Sequence, residues 1–192
     1  MWLDETDITH LSLPQRVRCG VARSYQISSI FLDFTVVENV ELALQATDRR
    51  SFRFFRPAST NAARVRQAQQ LLDTVRLGDA GGLSAKRLSH RQTRQLEIAM
   101  AKASSPKVLL LDEPMAGMAP DEAERLALLL RSLAADTAVL LVEHDMDIVF
   151  STSDRISVLC EGSLIASGSP KEIKSDPAVR SLYLPDDIGW SE

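Results

Sequence analysis

Two cysteines in 192 residues, Cys19 and Cys160, lie far apart and share no metal-binding or redox spacing. So few thiols exclude a disulfide scaffold, and a reduced, cytosolic compartment is expected. Long apolar runs are missing too. The longest, Leu126–Leu130 and Ala138–Val142, are five residues each, whereas a membrane-spanning helix needs about 20. The opening Met1-Trp2-Leu3-Asp4-Glu5 has neither the basic residues nor the apolar stretch of a secretory leader, so none is expected. Net charge is only −4, which gives no whole-chain ground for nucleic-acid binding. There is no internal repeat and no low-complexity tract. What is present is ordinary for a soluble domain with its own core: 45% apolar and 25% charged residues, in a length that suits one domain.

The small net charge conceals a partition. Residues 49–107 hold 13 basic and 3 acidic groups, while residues 108–192 hold 6 basic and 16 acidic. Two explanations stand: mutual attraction within one fold, or a basic face for a charged partner.

Periodicity predicts an α/β chain. Met1–Leu3 reads as the end of a strand, Asp4–Asp7 as a turn, and Leu13-Pro14 as a helix start. Val36–Ala46 has the apolar spacing of a helix. Arg49–Ser59, basic and aromatic with Phe52, Phe54 and Phe55, reads as a loop or an insertion tip. Thr60-Asn61 can cap a helix whose inward face is Ala62, Val65, Ala68 or Gln69, Leu72 and Val75. Ser89-x-x-Gln92 is a capping-box pattern opening another helix, with Leu96, Met100 and Ala103 inward. Val108–Leu111 and Val139–Val142 are continuous apolar runs, as in strands buried on both faces. Between them, Asp121–Ala134 is an amphipathic helix after Pro120, so strand–helix–strand with parallel strands is expected. Ile156–Cys160 and Leu164–Ser167 read as a hairpin, and Ser169-Pro170-Lys171-Glu172 opens a short closing helix.

The chemistry-bearing residues sit at strand ends. Val108–Leu111 runs into Asp112-Glu113, and Ala138–Val142 into Glu143-His144-Asp145. Ligands of open α/β sheets bind at the carboxyl ends of strands. An aspartate there can hold Mg²⁺ through water. An adjacent glutamate can orient or deprotonate a water, and a histidine one strand over can reach a phosphate oxygen. The plain structural alternative is a solvated acidic turn and a structural histidine.

Upstream lie Leu88-Ser89-His90-Arg91-Gln92 and Arg94-Gln95-Leu96-Glu97-Ile98-Ala99. Together these stretches resemble the nucleotide-binding subunit of ATP-binding-cassette (ABC) transporters, from about Leu3 to Tyr183. The resemblance implies an α/β, P-loop NTPase-like domain with a mainly parallel core sheet. It places a helical subdomain at about 35–105 and the Walker B and switch-histidine half at 106–192 of a single domain, 1–192. Met115–Pro120 stands at the D-loop, and Gln26 in Ala22-Arg23-Ser24-Tyr25-Gln26 looks like the Q-loop glutamine. The resemblance further implies ATP and Mg²⁺ as cofactors. Asp112 would hold Mg²⁺ through water, and Gln26 would link it to the membrane subunit. Glu113 would polarise the hydrolytic water, and His144 would contact the γ-phosphate. Ser89 and Gln92 would serve the site of the opposite subunit. Implied partners are transmembrane permease subunits and a second ABC ATPase subunit, at the cytoplasmic face of the inner membrane, without nucleic acid. Leu96–Ala101, Glu113–Met118 and Val142–Phe150 are similar to importers of branched-chain amino acids and related substrates such as urea.

Two departures from the family pattern qualify this. The glycines are Gly20, Gly78, Gly81, Gly82, Gly117, Gly162, Gly168 and Gly189; none supplies the G-x-x-x-x-G-K-[ST] phosphate loop. The chain is therefore expected to start inside the domain and to be an incomplete cassette. Arg91 also replaces the second glycine of the family's signature, where backbone would approach phosphate closely. The competing role is a non-catalytic structural or docking partner. Residues 1–192 by themselves are expected to bind Mg-ATP weakly and to hydrolyse it at background. A steady-state ATPase assay checks this, and turnover abolished by Glu113→Gln would contradict it.

Overall fold

Several helix starts in this chain are set by polar side chains turned back onto the backbone. Thr35 opens α2 (Val36–Thr47): Glu38 Oε2 accepts the Thr35 N–H at 2.7 Å, and the Glu38 N–H donates to Thr35 Oγ1 at 3.3 Å. Ser89 with Gln92, and Ser169 with Glu172, repeat the device at two later helices. Each box satisfies donors that a helix start otherwise leaves unpaired. The computed structural model describes residues 1–23, 30–47 and 62–183. Gln26 and Arg49–Ser59 lie outside the described residues.

The chain divides into two compact units, residues 1–143 and 144–192. In the first, β1 (Trp2–Leu3) pairs antiparallel with β2 (Thr6–Asp7), so the tight turn expected over Asp4–Asp7 is confined to its first two residues. Then α1 (Leu13–Cys19) ends at Gly20. Its φ of +103° is left-handed, and a Cβ there would stand 2.9 Å from Lys107 Cγ, so both conformation and space select glycine. The Gly20 carbonyl accepts the N–H groups of Lys107 and Val108 at 2.8 and 3.0 Å, which joins β3 (Val21–Arg23) to β4 (Val108–Asp112).

Between these strands come α2, α3 (Ala62–Thr74) and α4 (His90–Lys102); α5 (Pro120–Leu133) then leads to β5 (Ala138–Val142). The sheet order is β3-β4-β5, all parallel. Leu96 and Ile98 of α4, Leu109 and Leu111 of β4, and Leu126, Leu129 and Leu130 of α5 are among the largest fully buried side chains. Two expectations need correction. Val65 and Ala62 are exposed, so the inward face of α3 narrows to Ala68 and Leu72, with Val75, buried as expected, just past the helix end. β5 is not buried on both faces: Ala138, Leu140 and Val142 form an exposed row, with Leu140 at 59% and Val142 at 53%. An apolar run reports that a strand could be covered; whether it is depends on what packs on each face.

The second unit holds α6 (Met146–Thr152), the antiparallel hairpin β6 (Ile156–Cys160) and β7 (Ser163–Gly168), α7 (Pro170–Ser175) and α8 (Pro177–Tyr183). Its core is Ile156, Val158, Ile173 and Val179, with Val149, Phe150 and Ala166 packed against it.

Packing predicts a contrast within α5. Leu126→Ala, at 1% exposure, should cost about 2–5 kcal/mol. Leu128→Ala, at 56% exposure, should change stability by less than about 0.5 kcal/mol. Urea unfolding of the two variants checks both.

Hydrogen bonds from the Thr35 backbone and hydroxyl hold the Glu38 carboxyl below its ordinary range. A depressed carboxylate adds stability above its unfolded value, near pH 4.3, and loses it as pH falls through the folded value. Glu38→Gln should therefore melt below the native chain at pH 7, with the two melting curves converging as the solution is acidified below the glutamate range. A gap that does not narrow would contradict the assignment.

Candidate functional site

Parallel pairing in register brings the carboxyl ends of β3, β4 and β5 to one sheet edge. Asp112 stands opposite Val142, and Arg23 opposite Leu110. From there Arg23 Nη2 donates to Asp112 Oδ2 at 3.2 Å. Both side chains are partly open to water, so the pair contributes little stability and leaves Asp112 reachable. The Glu113 N–H donates to the Val142 carbonyl at 2.9 Å, carrying the ladder one residue past β4. Glu113 itself is half-buried at φ +44°. Left-handed backbone costs a non-glycine residue about 1–3 kcal/mol and concentrates at functional sites. Glu143 completes the edge: its Oε1 accepts the Met115 N–H at 3.0 Å and pins the loop that follows the acidic pair.

The second group of candidates lies at the start of α4. Ser89 Oγ accepts the Gln92 N–H at 3.3 Å, and Gln92 Oε1 accepts the Ser89 N–H at 2.9 Å. The capping box is real, so both residues have a structural task whatever else they do. His90 is exposed in the first turn. Arg91 is folded inward: Nη1 donates to Gln95 Oε1 at 3.4 Å, and Nε lies 3.9 Å from Glu122 Oε1 of α5.

His144 is the first residue of the second unit, immediately before Asp145. Asp145 caps α6 by accepting the N–H groups of Asp147 and Ile148 at 3.0 and 3.2 Å. Gln26 lies outside the described residues. Arg23 and Glu122 were not singled out by sequence, and Glu143 was read only as part of the polar end of β5. Arg23 is three residues past Gly20 and 89 residues before its partner, and nothing local marks such a pair.

The donor chemistry of the edge is carboxylate oxygen, which suits Mg²⁺ rather than a soft metal. Among the described residues no three His, Cys, Asp or Glu side chains form a group able to hold a metal ion. Asp112 and Glu113 supply carboxylate oxygens at this edge.

Comparisons with known proteins identify the relatives of this chain. The ABC transporter family model matches residues 1–116. The chain is 36% identical over 189 residues to the high-affinity branched-chain amino acid transport ATP-binding protein BraF of Pseudomonas aeruginosa, covering 95% of this chain and 74% of that protein. It is 35% identical over 190 residues to the corresponding protein LivG of Salmonella typhimurium, with the same coverage of both chains. The lipopolysaccharide export system ATP-binding protein LptB of Escherichia coli is 32% identical over 187 residues, covering 97% of this chain and 74% of LptB. Among solved structures, a nucleotide-free ATP-binding cassette from an ABC transporter superposes with a TM-score of 0.78 at 26% identity, over 96% of this chain and 76% of that one. An ADP-bound cassette gives 0.78 at 26% identity, over 95% and 75%. By sequence and by fold, the chain belongs to the ABC transporter family, as an ATP-binding cassette.

Proposed function

We propose that this chain is the ATP-binding subunit of an importer for branched-chain amino acids or similar small polar substrates, coupling ATP hydrolysis to transport. The observation that carries it is the Asp112-Glu113 pair, set at the carboxyl edge of a parallel sheet in a chain 36% identical to BraF. Asp112 presents one carboxylate oxygen to Arg23 and would hold Mg²⁺ through water. Glu113, half-buried and held by its N–H to Val142, would orient the attacking water and take its proton. Contact with the γ-phosphate is assigned to His144, and the link from Mg²⁺ to the membrane subunit to Gln26. Ser89 and Gln92 would meet the nucleotide of a second ATP-binding subunit, whether an identical or a different chain. Mg²⁺, when bound with ATP, supplies charge neutralisation; the residues supply position, since phosphoryl transfer needs little else from the protein.

The partners on this proposal are transmembrane permease subunits, with the chain peripheral at the cytoplasmic face of the inner membrane. No helix among the described residues is long and apolar enough to cross a membrane. An exposed apolar patch supports docking onto such subunits. Phe31, Leu32 and Phe34 all face solvent, with the Phe31 and Phe34 rings stacked at 5.7 Å. Their loop is held from below by buried Asn39, which accepts the Phe31 N–H at 2.8 Å and donates to the Phe31 and Thr35 carbonyls.

A second role is favoured by one observation. Arg91 stands at a signature glycine, which suits a structural partner that docks without turning over ATP. The two roles part on one experiment. Residues 1–192 are joined to an amino-terminal strand, phosphate loop and helix, and ATP hydrolysis is measured with and without Glu113→Gln. The catalytic role predicts turnover that Glu113→Gln lowers by about 10²–10⁴-fold. Background hydrolysis that Glu113→Gln does not change supports the structural partner.

A further inference from the structure

Arg91 places a cation in the first turn of a 13-residue helix, at the end where the backbone dipole already carries positive charge. Unless something opposes it, that placement is unfavourable. Its guanidinium is only partly exposed, at 28% of the side chain. Along α4 it donates to Gln95, which is itself buried and fixed by a hydrogen bond from Nε2 to the Val75 carbonyl at 2.8 Å. Across the core it faces Glu122, and the Nε atom on that side is buried without a hydrogen bond of its own. Glu122 lies in the first turn of α5, where an acidic group is favoured by that helix's dipole.

The two helix starts are held differently. α4 has its capping box, whereas α5 begins at Ala119, which offers no capping side chain. The loop feeding α5 is anchored at its beginning by the Glu143–Met115 hydrogen bond. At its far end, Arg91–Glu122 is an ion pair that ties α5 to another element, whereas the Arg125–Asp121 pair stays within α5.

We propose that Arg91 is a positioning residue. Through Glu122 it latches the first turn of α4 to the first turn of α5, and so fixes the loop 114–119 relative to Ser89 and Gln92. The side chain standing where the family has glycine thus acts inside its own chain and is not a phosphate ligand. The latch needs no nucleotide; only its consequence, a fixed relation between signature and D-loop, rests on the ABC function proposed above.

The test is hydrogen exchange followed by mass spectrometry on the full chain and on Arg91→Glu, Glu122→Arg, the double reversal and Arg91→Leu, without nucleotide. Each single reversal should speed exchange in residues 114–119 and at the start of α4 by about two- to tenfold, with α3 unchanged as a reporter of global stability. The double reversal should recover at least half of the change, and Arg91→Leu should behave like the single reversals. Exchange that rises equally in α3 would show a general loss of stability and overturn the latch. So would a double reversal no better than the sum of its parts, or native protection in Arg91→Leu. ATP binding by native chain and Arg91→Leu is measured alongside: binding lost in Arg91→Leu with exchange unchanged would make Arg91 a phosphate ligand instead. Failure of the native chain to bind ATP would count against the proposed function and leave the exchange result to decide the latch.

Discussion

The parallel hydrogen-bond ladder between β4 and β5 is the constraint on which the rest depends. Five consecutive residue pairs, from Val108–Ala138 to Asp112–Val142, run in one register. A slip of one residue would turn every side chain of a strand to the opposite face. It would take Leu109 and Leu111 out of the core and carry Asp112 away from Arg23. Because the register is fixed by burial, the acidic end of β4 is held at the edge of the sheet by apolar packing some residues away. The Glu113 N–H extends the ladder past the strand, and Glu143 then ties the departing loop at Met115. Apolar burial thus positions groups that take no part in it.

Coverage of that sheet is uneven. α5 buries a full stripe on one side, with Leu126, Leu129, Leu130 and Leu133 all inaccessible. On β5 the alternate residues Ala138, Leu140 and Val142 are exposed, and among the described residues β5 pairs with β4 alone. The same strand therefore supplies the register of the site and exposes an apolar row of its own.

Much of this was legible in the sequence. Helix starts were clear because a capping box is local: Ser89 and Gln92 are three residues apart and satisfy each other's backbone. The paired strands were clear because two apolar runs with polar ends are separated by an amphipathic helix, and parallel crossover follows. Three kinds of feature were not legible. The Arg23–Asp112 pair joins residues 89 apart, so it exists only once β3 and β4 are neighbours. The left-handed backbone at Glu113 has no residue-type signal, since glutamate does not favour it; it follows from the strand ending where the ladder continues. The direction taken by Arg91, and the exposure of β5 and Val65, depend on what stands opposite them, which composition and period do not specify.

The central claim is that the metal accompanying a nucleotide is held at the carboxyl edge of β4. Paramagnetic broadening tests it directly and tolerates weak binding. Mn²⁺–ATP is titrated into isotopically labelled chain while backbone amide signals are followed. The account predicts that Arg23, Asp112, Glu113 and Val142 broaden first, while the signals of α3 persist. Broadening that begins elsewhere, for example at the acidic first turn of α5, and spares Asp112 and Glu113 would contradict it.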